Sequence, residues 1–506
     1  MSKELLLYRM RRISVNPGHP LFPYAEDITR LANNLANATR FRQRQVMTAV
    51  KKDKQDWTPN EQEIMNELNS CMPIIPKPYQ FVPSAKKFRL SYGFLEELFK
   101  ASANPDYYAE KLPRQTAQGV IKQCCRDMKA YFASVKEYKK NPQSFTSAPE
   151  LPGYKRKGGH CTCYISNQDA VIHETDDHMW QLKLPLTRIR LEIGPAIPDA
   201  RLKEIKLTPI NGVYEFNLVF SVKKTVPEKK QPTRIAAVDL GVENLLAVTN
   251  NCGLPCLLYK GGAIKAANQF YNKLIAKLVS EQTLATGKKF VPTPESQRIT
   301  RARNNYMNDF MHKAARSLVT WLTDNSFDTL VVGVNKMWKQ DVELGKVNNQ
   351  TFVQIPFSNL RWILSYLCEE NGIAYIEREE SYTSKASFLD NDPIPDYGNK
   401  PDQLQFSGHR RPTRYKGICK PNGFRGLYVS SSGKIINSDL NGSANILRKE
   451  FPVAFSAGTA PDFDAVMVIR HPDYENSAAL KERQIARNKG KSISRAKEKR
   501  LRRKIA

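Results

Sequence analysis

The stretch RIAAVDLGVENLLAVTNN, residues 234–251, decides the reading of this chain. Small and β-branched residues from Ile235 to Val238 predict a strand, Gly241 marks a turn, and Leu245 to Thr249 predicts a second apolar strand. One acid, Asp239, closes the first strand. A carboxylate at the mouth of an apolar strand is costly to bury unless something cationic meets it. In a solvated hairpin turn the same acid is unremarkable, and the stretch alone leaves both readings open.

Beyond it the chain turns helical, in AANQFYNKLIAKLV and in SQRITRARNNYMNDFMHKAARSLVTWL. The second of these presents Arg298, Arg301, Arg303, His312, Lys313 and Arg316 around an apolar stripe. Arg301, His312 and Lys313 are candidate phosphate contacts, although such a pattern also suits a solvated helix face. Next come the strand TLVVGVN, the amphipathic helix FSNLRWILSYLCEEN and the strand IAYIEREESYTSK. The order β-β-α-α-β-α-β predicts a mixed α/β sheet with helices over it. Near the end, KIINSDLNGSANILRK places a second lone acid, Asp439, before a helix with Asn441 and Asn445 one turn apart. Asp is a favoured N-cap, which is one reading of Asp439. The other pairs it with Asp239 on divalent metal: two Mg²⁺ ions roughly 4 Å apart, bridged by such acids, serve phosphodiester hydrolysis.

Toward the N-terminus, residues 4–14 read as one strand and residues 24–140 as a helical lobe with basic faces. After a Pro/Ser/Lys/Gly-rich loop at 142–158, period-two alternation takes over in CTCYIS, AVIHE, WQLKLP, TRIRLEI, LKEIKLTPI and YEFNLVFSVKK. Asn211-Gly212 between the last two is a strong hairpin signal. These short strands predict a small antiparallel barrel, a shape that often binds oligonucleotides, with residues 4–14 as its first strand and the helical lobe inserted.

Charge points the same way. A formal net charge of +28 on 506 residues, with aromatics interleaved, calls for a polyanionic partner. The length predicts several domains. No apolar run is long enough to span a bilayer, and the opening MSKELLLYRMRRI is too short and too charged for a secretory signal. Nine scattered cysteines read as reduced thiols. The clusters at 160–163 and 252–256 lack paired Cys-x-x-Cys couples, so no zinc is expected at either.

The VDLGVENLLAVTNN stretch, the NKMWKQ and NNQTFVQIP segment, the ESYTSKASFLDNDPIP run and the SDLNGSANILRK end resemble the transposon-encoded TnpB proteins of the OrfB type. These are RNA-guided nucleases related to type V CRISPR effectors and to the Fanzor proteins of eukaryotes and their viruses. The resemblance covers residues 230–455 by motif and the N-terminal half by order of segments only. It implies an α+β multidomain fold: a wedge β-barrel (1–15 and 141–230) with an inserted helical recognition lobe (16–140), then a RuvC, RNase-H-like nuclease domain (231–385 and 436–456). Within the latter lies a target-nucleic-acid-binding insert (386–435), and a basic, partly disordered tail (457–506) follows. The implied partners are a guide RNA and a target DNA that pairs with it in an RNA–DNA heteroduplex. The implied cofactor is Mg²⁺, as two ions, and the implied location is the bacterial cytoplasm or, for a Fanzor, the nucleus. Copy number per RNA stays open.

Two departures from the family matter. Its middle catalytic Glu usually ends the strand written here TLVVGVN, where this chain has Gly333. The neighbouring strand IAYIEREE offers Glu380, which resembles the relocated glutamate of a subset of the family, so Asp239, Glu380 and Asp439 are the expected catalytic metal ligands. Glu377 and Glu379 are the lesser candidates, and three surface acids the plainer reading. The second departure is the insert, a four-cysteine zinc ribbon in many relatives. Here it holds only Cys419 and His409, so no zinc is expected and packing must hold it. Lys336, Trp338, Lys339, Lys385, Arg410, Arg411 and Arg414 complete the candidate nucleic-acid contacts. The expected function is RNA-guided DNA cleavage. The alternatives are RNA-guided binding without cleavage, which Gly333 would allow, and recombination using the same acids.

Overall fold

The computed structural model describes the chain except residues 1, 228–230, 336–353, 399–403, 412–413, 416–417, 420–425, 456–458 and 473–506, and except the side chains of residues 2–3, 414–415 and 418–419. It divides into two compact units, Leu5–Lys224 and Thr225–Ala506 with Met1–Glu4. Among the described residues no helix is long and apolar enough to cross a membrane.

The first unit combines β1 (Ser2–Val15), four helices and six further strands. The helices are α1 (Phe22–Ala49), α2 (Pro59–Cys71), α3 (Tyr92–Ala101) and α4 (Arg114–Lys140). Helix α2 opens on a reciprocal capping box, with Thr58 accepting from the Glu61 amide and Glu61 accepting from the Thr58 amide. The strands are β2 (Cys163–Ser166), β3 (Val171–Glu174), β4 (Met179–Lys183), β5 (Arg190–Pro195), β6 (Arg201–Ile210) and β7 (Val213–Pro227). Asn211 and Gly212 both take positive φ, 46° and 76°, as the two-residue β6–β7 hairpin requires. The strands expected to close a barrel instead form two sheets, β1-β7-β6-β2 and β3-β4-β5, with no closed barrel among the described residues. The Cys161 and Cys163 side chains are buried in this unit's core.

The second unit is built on a six-stranded sheet in the order β12-β11-β8-β9-β10-β18. Its elements in chain order are β8 (Ile235–Leu240), β9 (Asn244–Asn250), β10 (Pro255–Lys260), α5 (Gly262–Thr286), α6 (Pro294–Asp324), β11 (Thr329–Val334), α7 (Phe357–Glu370) and β12 (Ala374–Glu379). Short strands of the insert follow: β13 (His409–Arg410), β14 (Arg414–Tyr415), β15 (Ile418–Cys419), β16 (Leu427–Val429) and β17 (Ile435–Asn437). Helix α8 (Ser438–Glu450) and β18 (Asp462–Ile469) complete it. The sheet is mixed, as predicted: β8, β11 and β12 run parallel, while β9 is antiparallel to both its neighbours. Two strands depart from the sequence reading. A third strand, β10, precedes the helices, and β18, within the segment expected to be a basic tail, pairs in parallel with β10.

Alternation along the strands assigns the faces. Ala236, Val238, Leu330 and Val332 turn toward a core shared with α6 and α7, whereas Ile235, Ala237 and Val331 pack with Ile446 and Leu447 of α8. Asp239 shares the parity of Ile235 and Ala237, so the strand period itself aims it at the α8 face. Each large apolar side chain buried here contributes roughly 1.5–3 kcal/mol, and that packing fixes the strand ends against the helix.

Candidate metal and nuclease site

Helix α8 begins with Asn437, whose side-chain oxygen accepts from the amides of Asp439 and Leu440 at 3.0 and 3.2 Å. Asn437 is therefore the cap, and Asp439 is not. Asp439 is the second helical residue, and its carboxylate is released for other work at the positive end of the helix. Asn244 donates to Asp439 Oδ2 at 2.7 Å, and Lys260 Nζ donates to Asn244 Oδ1 at 2.6 Å. Arg410 of the insert places a guanidinium nitrogen 3.9 Å from Asp439 Oδ1.

Register carries the third acid to the same face. Gly333 pairs with Arg378 and Val334 with Glu379, and the Glu380 amide extends the ladder by donating to Val334 O at 3.1 Å. Glu380, two residues beyond Arg378, thus turns to the side of Gly333 and α8. A Cβ at position 333 would lie 3.0 Å from Glu380 Oε2 and would collide with Ile446 Cδ1. Because position 333 carries no side chain, the Glu380 carboxylate has room to lie across it.

Asp239, Glu380 and Asp439 all keep some exposure, yet protein crowds them closely. Burial, then the charges of Glu380 and Asp439, push the Asp239 carboxyl well above its ordinary value, with Arg410 opposing. Burial and the adjacent Glu379 push Glu380 up to about 7. Among the described residues Glu380 Oε2 is buried with no hydrogen-bond partner. Glu379 turns elsewhere: it accepts from Lys449 Nζ at 2.8 Å and from the Ser381 amide at 2.7 Å. Glu377 faces Arg361 of α7 at 3.5 Å.

Several groups around these acids carry no obvious mark in the sequence. Gly442 stands one turn from Asp439, and a Cβ there would be 2.6 Å from Asp239 Oδ2. Ser443 donates to Ala237 O at 2.9 Å, tying α8 to β8. Asn445 donates to Thr383 O and Ala386 O at 2.8 and 2.7 Å, and Asn441 donates to Ala386 O at 2.8 Å. Tyr382 adopts φ 65°, a strained turn for a side chain of its size. The Ser-Tyr-Thr-Ser-Lys run is thus a sharp loop strapped to α8 by two asparagines. Asn445→Ala orphans its share of these buried carbonyls and is expected to cost about 1–3 kcal/mol, read by urea denaturation.

The remaining candidate contacts are dispersed. Lys313 pairs with Asp309 one turn back on α6 at 2.8 Å, and His312 meets the Tyr366 hydroxyl of α7 at 3.4 Å. Arg301 lies on the same helix. Lys385 Nζ lies 5.9 Å from the Tyr382 ring centroid, and the Arg411 amide donates to Leu427 O. Lys336, Trp338, Lys339, the Arg414 side chain and the basic tail beyond residue 472 lie outside the described residues.

Among the described residues no group of three or more His, Cys, Asp or Glu side chains is arranged to hold a metal ion as it stands. What fits a cation is the charge and the unmet demand: Asp239 faces the charges of both Glu380 and Asp439, and among the described residues a buried Glu380 oxygen lacks any donor. Hard carboxylate oxygens suit Mg²⁺.

The mixed sheet thus carries helices on both faces, with acids near the ends of its strands where α8 packs. Residues 218–339 match the family model OrfB_IS605, described as a probable transposase. That segment, which contains Asp239 but neither Glu380 nor Asp439, is where the chain is similar to the OrfB proteins. Solved structures of similar shape include a Cas12f1–sgRNA–target DNA complex, 11% identical, with a TM-score of 0.44 over 88% of this chain and 98% of that one. The mini-RNA-guided endonuclease CRISPR-Cas_phi3 is 10% identical, with a TM-score of 0.36 over 88% and 92%. C2c1 of Alicyclobacillus acidoterrestris in complex with single-guide RNA is 7% identical, with a TM-score of 0.34 over 84% and 70%. No curated protein matches the chain.

Proposed function

We propose that this protein is an RNA-guided DNA endonuclease that hydrolyses phosphodiester bonds with Mg²⁺ held by Asp239, Glu380 and Asp439. The observation that carries the reading is the convergence of three carboxylates, 141 and 59 residues apart in sequence, so close that each of the other two raises the Asp239 pKa. Like charges placed this way are relieved by a bound cation or by protonation, and a chain of net charge +28 suits nucleic acid. When bound, Mg²⁺ supplies Lewis-acid stabilisation of the charge that develops on the phosphate oxygens. Asn244, polarised by Lys260, fixes the rotamer of the Asp439 carboxylate. Arg410 offers its guanidinium to a phosphate at the same edge. Lys449 holds Glu379 away, leaving Glu380, the residue directly after β12, as the acid directed to the site. The substrate in this reading is DNA and the bound RNA is its guide, in keeping with the matched solved structure that holds a single-guide RNA and target DNA.

The test is purification with co-expressed RNA, followed by incubation with a matched plasmid library and Mg²⁺. Cutting by the unaltered protein that is lost in Asp239→Ala and Glu380→Ala supports the reading. Tight binding without cutting by the unaltered protein overturns it in favour of an RNA-guided binding module. Normal cutting by Glu380→Ala removes Glu380 from the site while leaving the nuclease.

The raised pKa of Glu380 makes a pH prediction. Its value in the fold, about 7, lies above the ordinary 4.5, so the fold favours the protonated form. In magnesium-free buffer this group's contribution is fully present below about pH 4.5 and is lost as pH rises through about 7. Metal needs the ionised form, so the Mg²⁺ concentration giving half-maximal thermal stabilisation should fall about tenfold between pH 6 and pH 8. Melting curves across a Mg²⁺ titration at the two pH values check this.

A further inference from the structure

The insert that carries Arg410 has one cysteine in its sequence, Cys419, yet two of its loops are tied down at defined points. Asp392, 5% exposed, accepts from the Ser387 amide at 2.7 Å, the Ser407 amide at 3.0 Å and the Ser407 hydroxyl at 2.6 Å. Asp390 accepts from the Ser387 hydroxyl at 2.5 Å and from the amide and hydroxyl of Ser431 at 2.9 and 2.5 Å. Ser387 leaves the loop that follows Glu380; Ser407 stands two residues before β13, and Ser431 lies in the turn between β16 and β17. Arg448 of α8 donates to the Asp392 carbonyl at 2.6 Å and to the Asn391 side chain. Tyr428 of β16 donates to Lys385 O at 2.7 Å, and a Cβ at Gly408 would lie 2.6 Å from its ring.

We infer that Asp390 and Asp392 are positioning residues: a carboxylate latch that fastens β13 and the β16–β17 turn to the start of the insert, just after the Glu380 loop, and so delivers Arg410 to Asp439. The inference rests on the function proposed above. A carboxylate accepting three short bonds from two segments orders both: Asp392 and Ser387 are buried, and charge-assisted bonds from the exposed Ser407 hold its segment to them. Only Gly408 and His409 separate Ser407 from Arg410, so the latch sets where β13 lies, and β13 pairs with β16 through His409–Val429 and Arg410–Tyr428. Removing the latch frees the strand that carries the guanidinium without touching the three acids.

The experiment compares Asp392→Ala, Asp390→Ala and the milder Ser407→Ala with the unaltered protein, all purified with their RNA. Hydrogen exchange is read in peptides spanning 404–411 and 426–431, with peptides of β8 and β9 as the control. The latch requires at least tenfold faster exchange in the insert with the β8–β9 peptides unchanged, and a smaller change in the same peptides for Ser407→Ala. DNA cleavage by Asp392→Ala should fall to the level of Arg410→Ala, and the double variant should fall no further, the non-additivity of residues acting as one unit. Unchanged exchange in the insert overturns the latch. So does a double variant whose loss is the product of the two single losses. If the unaltered protein does not cut, the proposed function fails, and the exchange measurement still decides whether the latch exists.

Discussion

Asp239→Asn should abolish DNA cleavage, by at least about 10³-fold, while raising the melting temperature in magnesium-free buffer by about 2–4 °C. Both effects have one cause. The Asp239 carboxylate is crowded by protein and faces the charges of Glu380 and Asp439. An amide of the same shape removes that repulsion and also removes a hard anionic ligand. Copurified RNA should be retained, since it is bound by charge spread over the chain. Calorimetry with and without Mg²⁺, alongside plasmid cleavage, reads all three. A variant that melts lower and still cuts would show that Asp239 is an ordinary structural acid.

Gly442→Ala sets two effects against each other. In an exposed helix interior the change is worth about 1 kcal/mol of added stability. Here the new Cβ would lie 2.6 Å from Asp239 Oδ2 and 3.5 Å from its Cγ. Asp239 is short, and its strand is held between β9 and β11, so it cannot swing clear without moving backbone. Overpacking of this kind costs about 1–3 kcal/mol, which outweighs the propensity gain. Net destabilisation is expected, with cleavage down about 10²-fold because a ligand displaced by about 1 Å misplaces the chemistry. Urea denaturation and single-turnover cleavage decide it. A more stable, fully active variant would mean that α8 and β8 are not packed this closely.

Much of the local structure is legible in the residues. The Asn211-Gly212 hairpin follows from the need for positive φ at both turn positions, and α2 is marked by Thr58 and Glu61 at capping-box spacing. Strand β18 is different: its neighbour in the sheet, β10, lies some two hundred residues earlier, and nothing local in DFDAVMVI names that partner. Asp439 shows the same limit, since Asp or Asn at the start of a helix serves equally as a cap until the structure shows that Asn437 has taken that place.

By itself the sequence determined the charge, the alternation of strand and helix, and the presence of lone acids at strand and helix ends, because these depend on residue type and on periods of 2.0 and 3.6. It determined through the same parity that Asp239 and Ala237 share a face. Only the tertiary structure decided that this face is the one α8 covers and that the β11–β12 register carries Glu380 over Gly333. It also decided that Asp390 and Asp392 hold the strand bearing Arg410. Those are facts of register and packing between segments far apart in the chain, where the controlling contacts are glycine hydrogens, asparagine amides and backbone carbonyls that leave no periodic signal.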